Sequence, residues 1–326
     1  MKPADLVRAT LAGEATPRPP YGFWTHFPET DLDPEAIARE TIAFARTTRQ
    51  DFVKAMPNGL YAVEDWGVRT DFSEISGGGA ARVSATPITA PADWAKVRRL
   101  DPAAGALGRE LRHLSLLVEA LGPDLPVLAT VFSPVTIAKK VSGGAFAAHA
   151  QSHPALVRAA LDEIAATTAA FSTQAIALGC AGVFFAVQDA LGSAGEAAWR
   201  DMGLAYDLAA LDGARAGWFN AVHMHGDDVA FELLASYPVQ VLNWHVGETP
   251  PTIAEYRAGG GRKPVLGGIR RTPITGRDMA AVSADIDAAL AADGGRGVLL
   301  SPGCVIRHPF DPGFLGSIAA RIRGEA

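Results

Sequence analysis

Two histidines one residue apart, His223 and His225, form the most distinctive chemical pattern in the sequence. They lie in an apolar run of β-strand composition, and side chains two residues apart on a strand share one face. Two neutral imidazoles side by side are good ligands for a divalent metal ion. The pair alone leaves a second interpretation open, in which both rings bond to carbonyl groups inside an ordinary packed strand.

A third candidate ligand, Cys304, follows the last apolar run of the chain in Ser301-Pro302-Gly303-Cys304. Zinc prefers nitrogen and sulfur ligands in tetrahedral geometry, and catalytic zinc sites combine three protein ligands with an open fourth position. We therefore predict a zinc site formed by His223, His225 and Cys304. A thiol that entered the fourth position would lose its proton and become a strong nucleophile.

Other polar residues follow the remaining apolar runs, although the ends of strands become polar in any protein. We predict that Asp189 and His245 act as acid–base groups or as partners of the ligands, and that Arg270 orients an anionic substrate. Capping of the next helix is an equally good interpretation of Asp189. The predicted substrate-binding residues are His26, Lys54, Gln188, Trp244 and Arg271.

These residues are far apart in the chain, and the apolar pattern predicts the scaffold that positions them. Eight short β-rich runs alternate with longer amphipathic segments, which is typical of a (β/α)8 TIM barrel, here one domain over residues 1–326. Active sites of such barrels lie at the carboxyl ends of the strands. The predicted strands are Pro20–Trp24, Asp51–Ala55, Val127–Phe132, Gly182–Val187, Trp218–His225, Val239–Trp244, Pro264–Ile269 and Gly297–Ser301. The predicted helices cover about 34–48, 104–121, 154–178, 198–213, 227–236, 250–258, 278–292 and 312–323.

About 70 residues separate the second predicted strand from the third, which indicates an insertion. Its segment Thr70–Ile88 contains Gly77-Gly78-Gly79 between alternating residues, which predicts a hairpin, and Pro91–Arg99 predicts a short helix. The insertion either covers the site or is decorative, and the sequence favours neither.

Composition excludes several classes of protein. The 326 residues carry a net charge of −6 with scattered Lys and Arg, so we expect no nucleic-acid partner. Met1–Val7 lacks the apolar stretch of a signal peptide, and no run is long enough to predict a membrane span. The two cysteines, Cys180 and Cys304, suit a reducing compartment. We therefore expect a soluble cytoplasmic protein that acts on a small molecule.

Several motifs, in the same order along the chain, resemble the uroporphyrinogen decarboxylase superfamily. They are Leu6–Glu14 followed by Arg18-Pro19-Pro20, Asp51–Lys54 with Gly67, Pro126–Pro134, Gly267-Gly268-Ile269, and Gly297–Ile306 followed by Pro309. The resemblance covers nearly the whole chain and implies a TIM barrel that forms homodimers.

True uroporphyrinogen decarboxylases carry an Arg-Gln-Ala-Gly-Arg stretch just after the first strand and use no cofactor. Here that position reads Tyr21–Pro28, without either arginine. Cys304 also stands where the decarboxylases have a histidine, and the Asp that follows their second strand has no clear counterpart. The resemblance therefore does not extend to haem synthesis.

A second branch, the corrinoid:coenzyme M methyltransferases, is more similar at the metal positions. These enzymes bind zinc through a His-x-Cys pair on the fifth strand and a Cys on the eighth, and use it to activate a thiol that accepts a methyl group. His223 and Cys304 match the first and third ligands, whereas His225 replaces a cysteine, which removes one negative charge. The resemblance implies a zinc-dependent methyl or alkyl transferase with a corrinoid-carrying partner protein, and makes His245 a further ligand or an acid–base group.

Two alternatives remain open at this stage. One is a metal-independent decarboxylase of a carboxylated substrate held by Arg270 and Arg307. The other is a barrel that binds a small molecule or a corrinoid protein without catalysis. The convergence of ligand-type residues on one barrel mouth favours an enzyme.

Overall fold

Residues 1–73, 81–188 and 190–325 are described by the computed structural model. Seven parallel strands form one curled sheet in the order β1-β4-β5-β6-β7-β8-β9, and a separate antiparallel pair joins β2 and β3. The strands are β1 Val53–Lys54, β2 Arg69–Asp71, β3 Arg82–Ala85, β4 Val127–Phe132, β5 Gly182–Val187, β6 Ala221–Met224, β7 Val241–Trp244, β8 Val265–Ile269 and β9 Val298–Pro302. The helices are α1 Pro3–Leu11, α2 Pro34–Thr47, α3 Tyr61–Glu64, α4 Gly105–Leu121, α5 Pro134–Ser142, α6 Phe146–Ser152, α7 Pro154–Ala177, α8 Gly192–Met202, α9 Leu204–Asp212, α10 Phe231–Ala235, α11 Ile253–Ala258, α12 Arg271–Gly276, α13 Met279–Ala291 and α14 Pro312–Arg323.

The strands of the large sheet are buried on both faces, because their side chains alternate between two apolar clusters. The smaller cluster fills the concave side of the sheet and takes one residue from each of β4 to β9: Leu128, Phe184, Ala221, Val241, Leu266 and Leu299. Neighbours such as Val183, Val222 and Leu242 belong to the larger cluster under the helices. The predicted α/β fold with a TIM-barrel-like parallel sheet is therefore confirmed, with seven regular strands in place of eight.

The predicted first strand, Pro20–Trp24, is a segment with only an isolated bridge to β9. Leu300 N donates to the Pro20 carbonyl at 2.8 Å, and Asp51 N donates to the Tyr21 carbonyl at 2.9 Å. The segment therefore lies between the two edges of the seven-stranded sheet. Its irregularity has a local cause, because Pro19 and Pro20 have no N–H to donate to a ladder.

The insertion contributes β2 and β3, which pair antiparallel. Gly77-Gly78-Gly79, the predicted tip of the hairpin, lies outside the described residues. The predicted short helix is a 3-10 helix, Pro91–Lys96. Its Trp94 is buried and donates to His149 Nδ1 at 3.1 Å, so the insertion packs against α6.

The helical predictions need two corrections. The single predicted helix 198–213 is divided into α8 and α9 at Gly203, where a Cβ atom would lie 2.6 Å from the Trp199 ring. The helices α3, α5, α6 and α12 were not predicted. None of the described helices is both long and apolar enough to cross a membrane.

Candidate metal centre

The alternation of β6 decides where its two histidines point. Ala221 belongs to the apolar cluster on the concave side, whereas Val222 and Met224 belong to the cluster under the helices. His223 and His225 continue the phase of Ala221, so both imidazoles face the interior of the curled sheet. His225 N still donates to the Val187 carbonyl at 2.9 Å, which keeps the end of β6 paired with β5.

Two further ligand-type side chains reach the same place from other strands. His245 directly follows β7, and Cys304 lies on the turn after β9. Gly303 allows this turn to approach β7, because a Cβ atom there would lie 2.9 Å from His245 Cα and 2.9 Å from the Trp244 carbonyl oxygen. The four side chains thus meet at the carboxyl ends of three strands, and all but the half-buried His225 are buried.

The distances within this cluster match those of a tetrahedral zinc site. One ligand atom from each of His223, His225, His245 and Cys304 lies within 4.8 Å of all the others. His223 Nε2 is 3.4 Å from His225 Nδ1, and Cys304 Sγ is 3.7 Å from His223 Nε2 and 3.6 Å from His225 Nδ1. Zinc bonds of about 2.0–2.1 Å to nitrogen and about 2.3 Å to sulfur place tetrahedral ligands about 3.3–3.6 Å apart. The three predicted ligands therefore already have nearly the spacing that zinc requires.

Asn243 determines which nitrogen of His223 faces the cluster as an acceptor. Asn243 Nδ2 donates to the Leu266 carbonyl at 2.6 Å, so its Oδ1 accepts from His223 Nδ1. The His223 proton is thereby held on Nδ1, and the lone pair of Nε2 points toward Cys304 and His225. A hydrogen bond that fixes the tautomer in this way is common behind metal-bound histidines.

The electrostatics keep the imidazoles neutral, as metal ligands must be. Burial, with His225 and His245 as neighbours, holds the pKa of His223 well below its usual value. Burial, followed by the charge of Arg271, lowers the pKa of His245 to about 4. Burial raises the pKa of Cys304, so the metal-free site holds a thiol that would release its proton on binding a cation.

His245 supplies the strongest sign that the cluster lacks a partner. It is 3 % exposed, yet neither Nδ1 nor Nε2 has a hydrogen-bond partner among the residues that the structure describes. Its ring centre is 5.0 Å from that of His225 and 5.7 Å from that of His223. Because buried polar atoms are nearly always satisfied, two orphan nitrogens beside three ligand atoms fit a metal ion.

Lys54 and His26, predicted to bind substrate, lie near the cluster on the side of β1. Lys54 is buried, and its ammonium group lies 4.5 Å from the centre of the Phe184 ring, which stacks on His223. His26 is half-buried, and burial with the nearby Lys54 lowers its pKa to about 4. Both side chains therefore belong to the same barrel mouth as the metal centre.

Gln188, at the end of β5, lines a cleft that leads outward from His225. The cleft has a volume of about 470 Å³, and Val83 of β3 and Thr136 of α5 form part of its walls. The hydroxyl of Thr136 also accepts a hydrogen bond from Gln188 N at 3.1 Å. A small molecule could thus reach the metal centre between the insertion and α5.

The structure separates the two arginines after β8. Arg270 bonds to Asp285 of α13 through Nε at 2.9 Å and through Nη2 at 2.9 Å, so its guanidinium already has a carboxylate partner, and its role in orienting a substrate stays a prediction. Arg271 pairs with Glu248 at 2.8 Å, and its buried Nε has no hydrogen-bond partner among the described residues.

Trp244 is placed away from the mouth, because its position on β7 has the opposite phase to Asn243 and His245. Its ring packs on Phe231 and Tyr256, and its Nε1 donates to the Pro251 carbonyl at 2.8 Å. The interpretation of Trp244 as a substrate-binding residue therefore finds no contact in the structure to support it.

Two more residues, Asp189 and Asn243, bear on the candidate site. Asp189 lies outside the described residues, so its predicted role stays a prediction. Asn243 was missed as a functional residue. The available signal was its position two residues before His245 on a predicted strand, which places both side chains on one face.

The sequence matches the family model described as Uroporphyrinogen decarboxylase (URO-D) over residues 2–313. None of the curated proteins matches the chain. The similarity therefore covers nearly the whole chain, including all four side chains of the candidate metal centre.

Solved structures show the same fold. A methyltransferase from Methanosarcina mazei superposes with a TM-score of 0.87 at 18 % identity, with 99 % of each chain covered. A putative vitamin-B12-independent methionine synthase from Listeria monocytogenes gives 0.57 at 12 % identity over 99 % of this chain and 93 % of that one. A B12-independent methionine synthase from Shewanella sp. W3-18-1 gives 0.57 at 13 % identity, over 95 % and 96 %.

Proposed function

The chain belongs to the uroporphyrinogen decarboxylase (URO-D) family, and we propose that this member is a zinc-dependent enzyme that transfers a methyl or other small alkyl group to or from a thiol. The observation that carries the proposal is the cluster of His223, His225, His245 and Cys304, with ligand atoms within 4.8 Å of one another. Its three nitrogens and one sulfur are a donor set that suits zinc.

In this proposal His223, His225 and Cys304 would hold the metal. His245, whose nitrogens have no hydrogen-bond partner among the described residues, would be a fourth ligand that the thiol can replace. Bound zinc would supply Lewis acidity that keeps the thiol deprotonated near neutral pH. Only one of the four ligands is anionic, so the metal centre retains a positive charge that favours binding of an anionic nucleophile.

The surrounding residues would bind and enclose the substrate. Arg271, with its buried and unpartnered Nε, is suited to an anionic group, and Gln188 lines the route to His225. We propose that Pro20–Trp24 completes an eight-stranded barrel, and that the insertion covers the mouth, since Val83 lines the cleft. The methyl donor would be a corrinoid carried by a partner protein, as the family resemblance suggests, and the homodimer remains a prediction.

The first test is the metal content of the untagged protein by elemental mass spectrometry. We expect about one zinc per chain in the wild type and loss of zinc in Cys304→Ala and His223→Ala. Cys180→Ala is the matched control, because Cys180 is also buried but lies outside the cluster. Wild-type protein that stays free of metal after incubation with zinc would refute the proposal.

The second test concerns the reaction. Zinc-loaded protein is incubated with methylcobalamin and a panel of small thiols, and thioether formation is followed by mass spectrometry. Formation that a chelator abolishes and zinc restores is the expected result. Carbon dioxide release from carboxylated substrates that persists with chelator would instead indicate a metal-independent decarboxylase, and ligand binding without either reaction would indicate a binding protein.

A further inference from the structure

Lys54 is a buried amine inside the curled sheet. The residue is 5 % exposed, and its Nζ donates to the Thr130 hydroxyl at 2.9 Å and contacts the sulfur of Met56. The rings of Phe184 and Trp24 lie 4.5 Å and 5.8 Å from Nζ. The amine is thus surrounded by one hydroxyl and otherwise by apolar or weakly polar groups.

No carboxylate of the described residues lies within ion-pair distance of Lys54. A buried ammonium without a counter-ion is costly, because the apolar surroundings favour the neutral amine. Burial accordingly lowers the pKa of Lys54 to about 7, against smaller effects of Cys304 and Glu110 that raise it. For His26 the charge of Lys54 adds to burial, which is the larger cause of its lowered pKa.

Lys54 lies near the candidate metal centre, with one aromatic ring as a shared neighbour. Phe184 is a common neighbour, since Nζ lies 4.5 Å from its ring centre and the His223 ring stacks on it at 5.1 Å. Lys54 belongs to β1 and the ligands to the ends of β6, β7 and β9, so the amine and the cluster occupy different walls of one mouth. Lys54 contacts none of the four ligands in the structure.

From this placement we propose that Lys54 is the proton acceptor for the thiol that enters the metal centre, an inference that rests on the proposed function. The thiol S–H bond breaks, its electron pair stays on sulfur, and the proton forms an N–H bond with the neutral Lys54 amine. The resulting ammonium balances the charge of the thiolate inside the mouth. No oxidant or other reactant is needed, and the Thr130 hydroxyl holds the amine in place as an acceptor of one N–H.

The test counts protons during thiol binding, with 2-mercaptoethanol as the probe and cobalt(II) in place of zinc. Sulfur-to-cobalt charge-transfer absorption reports binding of the thiolate, and calorimetry in buffers of different ionisation enthalpy gives the number of protons released. Wild type is compared with Lys54→Met, which has no base, and Lys54→Arg, which stays charged at all accessible pH values.

We expect the wild type to release almost no proton at about pH 8, where an amine with a pKa of about 7 is mostly neutral and takes the proton up. Both variants should release about one proton per thiol bound. The affinity of Lys54→Met should fall about tenfold for each pH unit below the pKa of the thiol, whereas that of the wild type should change little between about pH 7 and about pH 9. A wild type that releases as many protons as the variants would overturn the inference.

Failure of the proposed function has a different signature. If the charge-transfer band is missing from the wild type at every pH, no thiolate binds at a metal, and the proposed function fails together with the role of Lys54. If the band forms in all three proteins with equal proton release, the metal–thiol chemistry stands and only the role of Lys54 is lost. Titration of the Lys54 amine by NMR in the wild type, where we expect a pKa of about 7, is independent of any variant.

Discussion

The tautomer of a single histidine controls the chemistry available at the metal centre. His223 can offer Nε2 to a metal only while its proton stays on Nδ1, and the contact with Asn243 enforces that state. Asn243 is itself oriented by the Leu266 carbonyl, so the chain of bonds runs from the backbone of β8 to the ligand. The tautomer and position of His223 are therefore set by residues outside the candidate metal centre.

Replacement of Asn243 by Leu removes this acceptor and leaves His223 Nδ1–H buried without a partner. We expect zinc affinity to fall about 10- to 100-fold, the range typical for loss of such partners. Competition with a chromophoric chelator measures the change. Asn220→Leu is the control: Asn220 is equally buried and bonds to the Ala214 and Gly217 carbonyls away from the site, so its loss should lower stability but not zinc affinity. Unchanged affinity in Asn243→Leu would contradict the tautomer argument.

At the scale of elements, the site depends on how closely the turn after β9 approaches the end of β7. Cys304 reaches the histidines because Gly303 has no side chain at the point of contact with His245 and Trp244. The strands themselves are ordinary period-two strands that place His223 and His225 on the concave side. The distance from Cys304 to the histidines therefore depends on the position of this turn.

Replacement of Gly303 by Ala adds a methyl group whose two nearest neighbours, both backbone atoms, would be 2.9 Å away. We expect the turn to shift and Cys304 to move from its ligand position, with a loss of about 1–3 kcal/mol in the free energy of unfolding and weaker zinc binding. Denaturant unfolding and zinc competition give the two quantities. In Gly316→Ala the new methyl group meets no atom within 4 Å, so this helix variant should be neutral or slightly more stable. Full zinc affinity in Gly303→Ala would show that the turn has more freedom than its contacts indicate.

At the scale of the whole molecule, the two edges of the seven-stranded sheet are joined through Pro20–Trp24. Arg18 and Asp51 pair at 2.6 Å, and the same carboxylate accepts from Tyr21 N at 3.1 Å. The Asp51 side chain is only 2 % exposed, so its negative charge depends on these partners. The segment thus links β9, with Cys304 beyond it, to β1, with Lys54 at its end.

Replacement of Asp51 by Ala leaves Arg18 and Tyr21 N without their acceptor. We expect a loss of about 3–5 kcal/mol in the free energy of unfolding, as for other buried pairs that lose one partner. Urea denaturation measures it. Asp124→Ala is the control, because its pair with Lys2 is 53 % and 66 % exposed and should contribute at most about 1 kcal/mol. Equal effects of the two substitutions would mean that the Pro20–Trp24 segment does not depend on this pair.

The sequence alone was sufficient for the features that depend on local pattern. Short apolar runs predicted most strands, and the two-residue period of a strand predicted that His223 and His225 share one face. The superfamily was also recognisable from motifs in order along the chain, and the family match confirms it. Cys304 was found because the turn that carries it directly follows the last strand.

Tertiary structure alone decided which of these residues meet. The orphan nitrogens of His245, the pairing of Asn243 with His223 and the capture of Arg270 by Asp285 all depend on register between strands and on packing of a helix from elsewhere in the chain. Trp244 and His245 are neighbours in sequence but lie on opposite faces of β7, so only one reaches the metal centre. Such contacts join residues up to 81 positions apart, as between His223 and Cys304, so no local sequence pattern predicts them.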